Sequence, residues 1–443
     1  MNSAGSPVSP DRVLAEKSDA VCRMGSLMLS SGTGSYRVKA AMGRVAEALG
    51  IDQLEAQVSL TEIVATTRAH GTFRTQVVEV PAPVVNADRI EELMRVSLRA
   101  SPGLTAAGLQ GKLDDVEARR GLYPPVAVVT GAAVACAAFA FLNNGGWLEC
   151  VAAGLAAGLG KSVHLAVRRL RLNQLATVAI AAVTACALFL LVSQAIPWLF
   201  PGVTTTAHEA AFISAVLFLV PGFPLLTAAL DLARFDFTSG VSRLLYAGMI
   251  TLAASLGVWL VAWAFTIDPA ELPAAALPLW LLLPLHLLTS FLGVFGFAVT
   301  FNTPPRAGLA AGAIGAVANT ARLAAVDAGW NPLLCALVAT TVIGLLAGWA
   351  SQRILSPRII LSVPAVLIMI PGVSTYRAVV SSIDRDPVNA LTYAMTSIAV
   401  LTALAGGLAV ARMLTDPAWI AANPTWTRMP RTRAQRTLRD DDR

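Results

Sequence analysis

The chain has 443 residues, of which 56% are hydrophobic and 14% charged, with a mean hydropathy of +0.65. Soluble domains carry about a quarter charged residues, so an ordinary water-soluble globular chain is excluded. The net charge of +6 and the pI near 9.3 do not call for a nucleic-acid partner, since arginines in cytoplasm-facing loops account for them as well.

Residues 1–125 nevertheless carry a soluble protein's charge density, roughly balanced in sign. No part of Met1–Asp19 forms the apolar core of a signal peptide, so this region is expected to stay in the cytosol. After about ten disordered residues, the segment 11–125 reads as a small α+β domain. Leu14–Leu29 has helical apolar spacing and ends near Gly32, and a second helix is expected over about Tyr36–Leu49. Val58–Thr67 and Thr72–Val80 are β-branched and partly alternating around His70-Gly71, which predicts a hairpin. Two charged helices follow, about Ala87–Arg99 with Asn86 as cap, and about Thr105–Arg120.

Between the first two helices, Gly32-Thr33-Gly34-Ser35-Tyr36-Arg37 is glycine-rich and precedes a helix, so it could cradle an anion. No Lys-Ser/Thr follows it, as a phosphate loop requires, and no strand precedes it for a dinucleotide fingerprint. It is expected to be a helix break and re-entry, with Ser35 as N-cap and Arg37 as a docking contact. No Ser/His/Asp set, HExxH or paired-carboxylate motif occurs, so an enzyme is not expected. Cys22, Cys136, Cys150, Cys186 and Cys335 are scattered without metal-ligand spacing, which predicts packing residues rather than disulfides, a zinc site or any cofactor.

From Tyr123-Pro124-Pro125 onward long apolar runs take over. A spanning helix needs about 20 mostly apolar residues, and ten segments meet or approach that. They are Val126–Leu142, Trp147–Val167, Leu175–Ile196, Ala210–Leu230, Ser242–Phe265, Leu277–Phe301, Ala307–Val326, Pro332–Ile354, Ile359–Val380 and Val388–Met413. A polar, Arg-rich tail closes the chain over 414–443. Arginine in the loops around 168–171, 234–243, 306 and 353–358 puts both termini in the cytoplasm. The loop Tyr376–Pro387, with Arg377 and Arg385, counts against that orientation.

The second half repeats the first. AVLFLVPG at 215–222 matches AVLIMIPG at 365–372, an offset of 150, which places Pro221-Gly222 on Pro371-Gly372. Upstream the offset is 158: Ala153-Gly154 falls on Ala311-Gly312, Asn173 on Asn331, and Ser193-Gln194 on Ser351-Gln352. A longer loop around Ile196–His208 accounts for the change. Five spans per unit, over 126–265 and 277–413, is an odd number, so the second unit must be inverted in the bilayer. That is a transporter architecture with a midplane site.

The segment Gly25–Gly50, GSLMLSSGTGSYRVKAAMGRVAEALG, resembles the opening signature of the bacterial threonine/serine exporter family. The Tyr-Pro-Pro lead into the membrane, the ten spans and the paired Pro-Gly helices are similar to that family over nearly the whole chain. The resemblance implies a multi-pass protein of the bacterial plasma membrane that exports small amino acids. Split systems of the same superfamily, associated with dicarboxylates, keep a succinate-like substrate in play. No ATP-binding motif is visible, so the proton gradient is the expected drive. A receptor or scaffold anchored by its spans, and a channel, are the competing classes. A homo-oligomer is compatible with the sequence.

Site residues are expected around the breaks. Proline removes a helical hydrogen bond and a following glycine loosens the chain, and a membrane tolerates this where protein or a wet cavity satisfies the freed groups. Each pair is either a packing kink or the start of a discontinuous, substrate-lining helix. Thr227 follows one break, and Ser374 and Thr375 the other. In span two, Lys161, Ser162 and His164 align with Asn319, Thr320 and Arg322 in span seven, which suggests a shared polar cavity. Lys161 and His164 could instead snorkel to the cytoplasm. Asp231, Glu149, Asp327 and His164 are the candidates for proton coupling, although the three carboxylates also suit solvated helix ends.

Overall fold

A computed structural model describes residues 10–81, 83–199, 209–265, 277–416 and 419. The expectations for residues 1–9, for the loops at 200–208 and 266–276, and for the tail beyond 416 lie outside the described residues, Trp419 apart. The chain divides into two compact units. One is formed by residues up to Gly121 together with Thr227–Arg243 and the residues from Asp416; the other is formed by Leu122–Leu226 and Leu244–Thr415.

The first unit holds α1 (Pro10–Ser30), α2 (Ser35–Ala48), β1 (Gln53–Val58), β2 (Glu62–Ala69), β3 (Thr72–Glu79), α3 (Ala87–Arg99) and α4 (Ala106–Glu117). The three strands form one antiparallel sheet in the order β1-β2-β3. β2 and β3 are joined through His70 and Gly71, both at positive φ (51° and 78°), which suits the twist of a two-residue hairpin. The sequence gives β1 away poorly, because Gln53, Glu55 and Gln57 lie on its wet face and leave few apolar residues to alternate. Helices α1, α2 and α4 bury Met24, Met28, Met42, Val45, Leu109 and Leu113 against Ile63 and Ala65 of β2. Asn86 caps α3 by accepting from the Arg89 N–H (3.1 Å), and Thr105 caps α4 in the same way through Gly108. Ser35 is not an N-cap: Gly34 holds that position and Ser35 opens the helix.

Cys22 lies inside this core, 2% exposed. Burial, followed by the charge of Asp19, pushes its thiol up to about 11. Since the thiolate is the reacting species, native protein treated with iodoacetamide at pH 8 is expected to leave Cys22 unmodified, and urea to expose it. Rapid native alkylation at Cys22, read by mass spectrometry, would contradict this packing.

The second unit is helical. Eight helices of the described chain are long and apolar enough to cross a membrane: α5 (Pro125–Leu142), α6 (Trp147–Arg169), α7 (Gln174–Leu199), α10 (Phe237–Ala264), α11 (Leu279–Thr300), α12 (Pro305–Asp327), α13 (Pro332–Ile354) and α16 (Pro387–Thr415). The expected span nine is a bent pair, α14 (Arg358–Leu367) and α15 (Gly372–Ile383), with 58° between them. The expected span four is broken further, into α8 (Glu209–Ser214), a 3-10 turn at Leu217–Leu219 and α9 (Gly222–Leu232). Pro221 and Pro371 each lack the N–H a continuous helix needs, and the chain closes a tighter turn instead. Gly222 N–H donates to Val220 O and Gly372 N–H to Ile370 O, both at 2.8 Å. Pro371, at φ −78° and ψ 62°, has the backbone of an inverse γ-turn.

Backbone features recur at the offsets read from the sequence. Helix α6 maps onto α12 at both ends with an offset of 158, and α9 and α10 start at the positions that α15 and α16 occupy 150 residues later. Asn173 and Asn331 accept the N–H of Leu175 and Leu333 at 2.8 and 2.9 Å. A Cβ on Gly257 would meet Ala179 O and Ala182 Cβ at 2.9 Å; one on Gly407 would meet the equivalent Leu337 O and Thr340. Contacts between the halves are reciprocal as well. Gly222 faces Leu367 while Gly372 faces Leu217, and Gly296 faces Ala135 while Gly293 faces Ala138.

Candidate functional site

The two breaks meet at a cavity. Its wall comes from the α8–α9 region (Ile213, Val216, Val220, Leu225), from α10 (Gly248–Val258), from Ile370 and α15, and from Leu401 of α16. Its volume is about 340 Å³, at the lower end of small-molecule sites. Gly372 and Thr375 line it directly. Gly372 is the first residue of α15, and the first turn of a helix presents N–H groups without intrahelical acceptors, together with the positive end of the helix dipole.

Most of the wall is aliphatic. Its polar groups are Thr251, Ser255, Thr375 and the buried Tyr376. Thr375 Oγ1 lies 2.8 Å from Pro371 O and 3.2 Å from Ser397 Oγ, so the hydroxyl is fixed by the break itself. Among the described residues the lining contains no charged side chain. Such a chamber can hold a small molecule without net charge by dipoles and hydroxyls, but it offers nothing to neutralise a desolvated dianion.

Of the residues expected from sequence, Gly372 and Thr375 line the cavity. Pro221, Gly222 and Pro371 form the breaks beside it. Ser374 is half-buried on α15, and Thr227 is buried in α9. The matched polar triplets lie off the lining. Lys161 Nζ sits 5.7 Å from the Phe218 ring centroid, and His164 packs edge-on to the same ring at 6.5 Å. Both residues thus touch the broken segment through Phe218 of its 3-10 turn. Ser162 is exposed and donates back to Gly158 O. On α12, Asn319 Nδ2 donates to Ser290 Oγ (2.9 Å) and Arg322 Nε donates to Asn319 Oδ1 (3.0 Å), with Thr320 alongside.

Two groups escaped sequence reasoning. His286, 8% exposed, stands one turn before Ser290 on α11 and meets Phe141 edge-on. Thr251 and Ser255 supply the hydroxyls of α10. In both cases the available signal was a polar pair four residues apart inside an apolar helix, hence on one face.

The carboxylates separate. Asp327 is exposed at the end of α12. Glu149 is buried but acts as a cap, accepting from the Gly146 N–H at 2.5 Å. Asp231 is not the solvated helix end the sequence suggested. It is buried and ion-paired to Arg243 at 3.3 Å, because residues 227–243 fold into the first unit.

Comparison with known proteins places the chain among transport proteins. The family model ThrE, "Putative threonine/serine exporter", matches residues 19–265, more than half of the chain. A second model, "Threonine/Serine exporter, ThrE", matches residues 286–414. The chain belongs to the threonine/serine exporter family. Relatives within the family include the "Probable threonine/serine exporter" of Mycobacterium tuberculosis, 25% identical over 90% of this chain and 76% of the relative. The "Threonine/serine exporter" of Corynebacterium glutamicum is 24% identical over 89% of this chain and 82% of its own. The "Probable succinate transporter subunit YjjP" of Escherichia coli is 28% identical over 55% of this chain and 94% of the subunit. No solved structure matches the chain. Membership makes this a multi-pass membrane transport protein of exporter type.

Proposed function

We propose that this exporter moves threonine and serine out of the cytoplasm by alternating access, driven by the proton gradient, around the cavity between the two Pro-Gly breaks. The observation that carries the choice of substrate is the neutral, hydroxyl-bearing lining beside the first turn of α15. A zwitterion's carboxylate is matched by helix N-terminal N–H groups, its ammonium by carbonyls at the breaks, and its side-chain hydroxyl by Thr251, Ser255 or Thr375. Among the described residues the wall brings no cation that would favour a dicarboxylate. Ten spans in two inverted five-span repeats, with both termini cytoplasmic, form the accompanying topology. The reciprocal contacts of Gly222 with Leu367 and of Gly372 with Leu217 support a two-fold relation between the halves. An odd number of spans per half turns that relation into an inversion.

A dicarboxylate is the second reading, favoured by the name of the Escherichia coli relative and by Lys161, which reaches the broken segment at Phe218. Cells preloaded with a threonine- or serine-containing dipeptide, and separately with succinate, distinguish the two. Faster release of threonine and serine in cells bearing the protein is the expected result. Faster succinate release with threonine and serine unchanged would replace this reading by the second.

A further inference from the structure

The glycine-rich turn before α2 does cradle an anion, and the anion is the protein's own. Within the first unit, Ser35 N–H, at the start of α2, points to Asp231 Oδ2 (3.3 Å), and Ser239 Oγ donates to the same oxygen (2.8 Å). Arg243, 1% exposed, pairs with Asp231 and donates from a terminal guanidinium nitrogen to Thr33 O at 2.7 Å. Asp236 receives Ser35 Oγ and Lys39 Nζ, each at 2.6 Å. The Arg234 guanidinium lies over the Tyr36 ring, 3.8 Å from its centroid. A side chain at Gly34 would place its Cβ 3.1 Å from Asp231 Oδ1, so the glycine is what lets the carboxylate approach.

The internal repeat provides a control. The turn after α15 has the same backbone as the turn after α9: Phe235 and Arg385 both have φ 60°, and Asp236 and Asp386 donate their N–H groups to the residue five earlier, at 3.0 and 2.9 Å. Yet Asp231 corresponds to Ser381 and Arg243 to Tyr393. Asp386, the partner of Asp236, merely caps its own helix through Asn389. A common ancestral turn explains the backbone but not the buried ion pair, which exists where the soluble unit grips the chain.

We propose that Thr33–Lys39 is a permanent latch on the α9–α10 connection, with Asp231 and Arg243 as positioning residues for the half-helix that starts at Gly222. The role in transport rests on the function proposed above. The contact stays closed through the cycle, because opening it would part Lys39 from Asp236 and take the Ser35 N–H and the Thr33 carbonyl from the buried Asp231–Arg243 pair, which is costly for a pair this enclosed. Thr33–Lys39 and residues 227–243 therefore move as one body.

The test uses the full chain in a background lacking native cysteines. Arg243→Ala alone strands a buried carboxylate and can lower folding, so the decisive variant removes both charges, Asp231→Ala with Arg243→Ala. It is expected to reach the membrane in wild-type amount, with maximal threonine export down about tenfold and the half-saturating concentration little changed. Gln57 Nε2 and Thr238 Oγ1 lie 3.3 Å apart at the exposed rim of the latch. Joining Gln57→Cys to Thr238→Cys with a short bis-methanethiosulfonate is expected to restore export to the double variant and to leave the otherwise unaltered latch active. Wild-type rates in the uncross-linked double variant, or export blocked by the cross-link in the unaltered latch, would overturn the proposal. Export by the parent protein in the same cells tests the transport reading separately, and cross-linking yield reports the contact whatever is transported.

Discussion

Replacing Pro371-Gly372 by Ala-Ala is expected to lower export on the order of a hundredfold while leaving the protein in the membrane. The effect comes from the backbone. A Cβ at Gly372 would meet only Leu217 Cδ1, at an ordinary 3.5 Å, so Gly372→Ala alone should be mild. Removing Pro371 restores the N–H that a continuous helix uses, and α14 and α15 can then join and lose their 58° bend. The first turn of α15 ceases to be a helix end, and the N–H groups proposed to meet a substrate carboxylate return to intrahelical bonds. A displacement of about 1 Å at a binding group can cost two orders of magnitude. Export rate per unit of membrane-inserted protein is the measurement. Wild-type rate with unchanged concentration dependence would show that the break is a packing kink and that the site lies elsewhere.

The second large effect concerns folding. Gly407→Val is expected to lower the melting temperature in detergent sharply and to reduce the amount of protein recovered. A Cβ at Gly407 would run into Leu337 O and Thr340 Oγ1 and come within 2.9 Å of Thr341 N, so α16 lies directly on the backbone of α13. Backbone cannot rotate out of the way as a side-chain tip can. Overpacking costs about 1–3 kcal/mol in ordinary cores, and small residues are what permit close helix crossings in membranes. Gly406→Val is the control, because its added atoms would face the mobile end of Leu337 at 3.4 Å. Equal melting curves for the Gly407 and Gly406 variants would remove the crossing from its place in the fold.

Much of this was legible in the chain because membrane helices announce themselves by length and apolarity, and the cap of α3 by the single polar residue Asn86. The breaks were legible because a proline followed by glycine recurs at an offset of 150. Strand β1 was not, since its exposed face is polar and its pairing depends on β2. Nor was the wall of the cavity: Thr251 and Ser255 become informative only when α10 is seen beside α15. Asp231 was misjudged for a related reason. It stands at the end of a helix in sequence, and its burial comes from residues about 200 positions away, which no local pattern reports.

The first unit is completed by residues 227–243, which follow Leu122–Leu226 of the second unit along the chain. That interleaving restricts how such a protein can be cut into separate polypeptides. A break between α4 and α5 would part Thr33, Ser35 and Lys39 from Arg243, Asp231 and Asp236 and leave the buried Asp231–Arg243 pair without the turn that covers it. A break beyond residue 243 keeps every member of the network on one strand of peptide. The family's two sequence models part company between residues 265 and 286, on the permitted side. A two-gene version of this carrier is therefore expected to divide beyond residue 243 and never between α4 and α5.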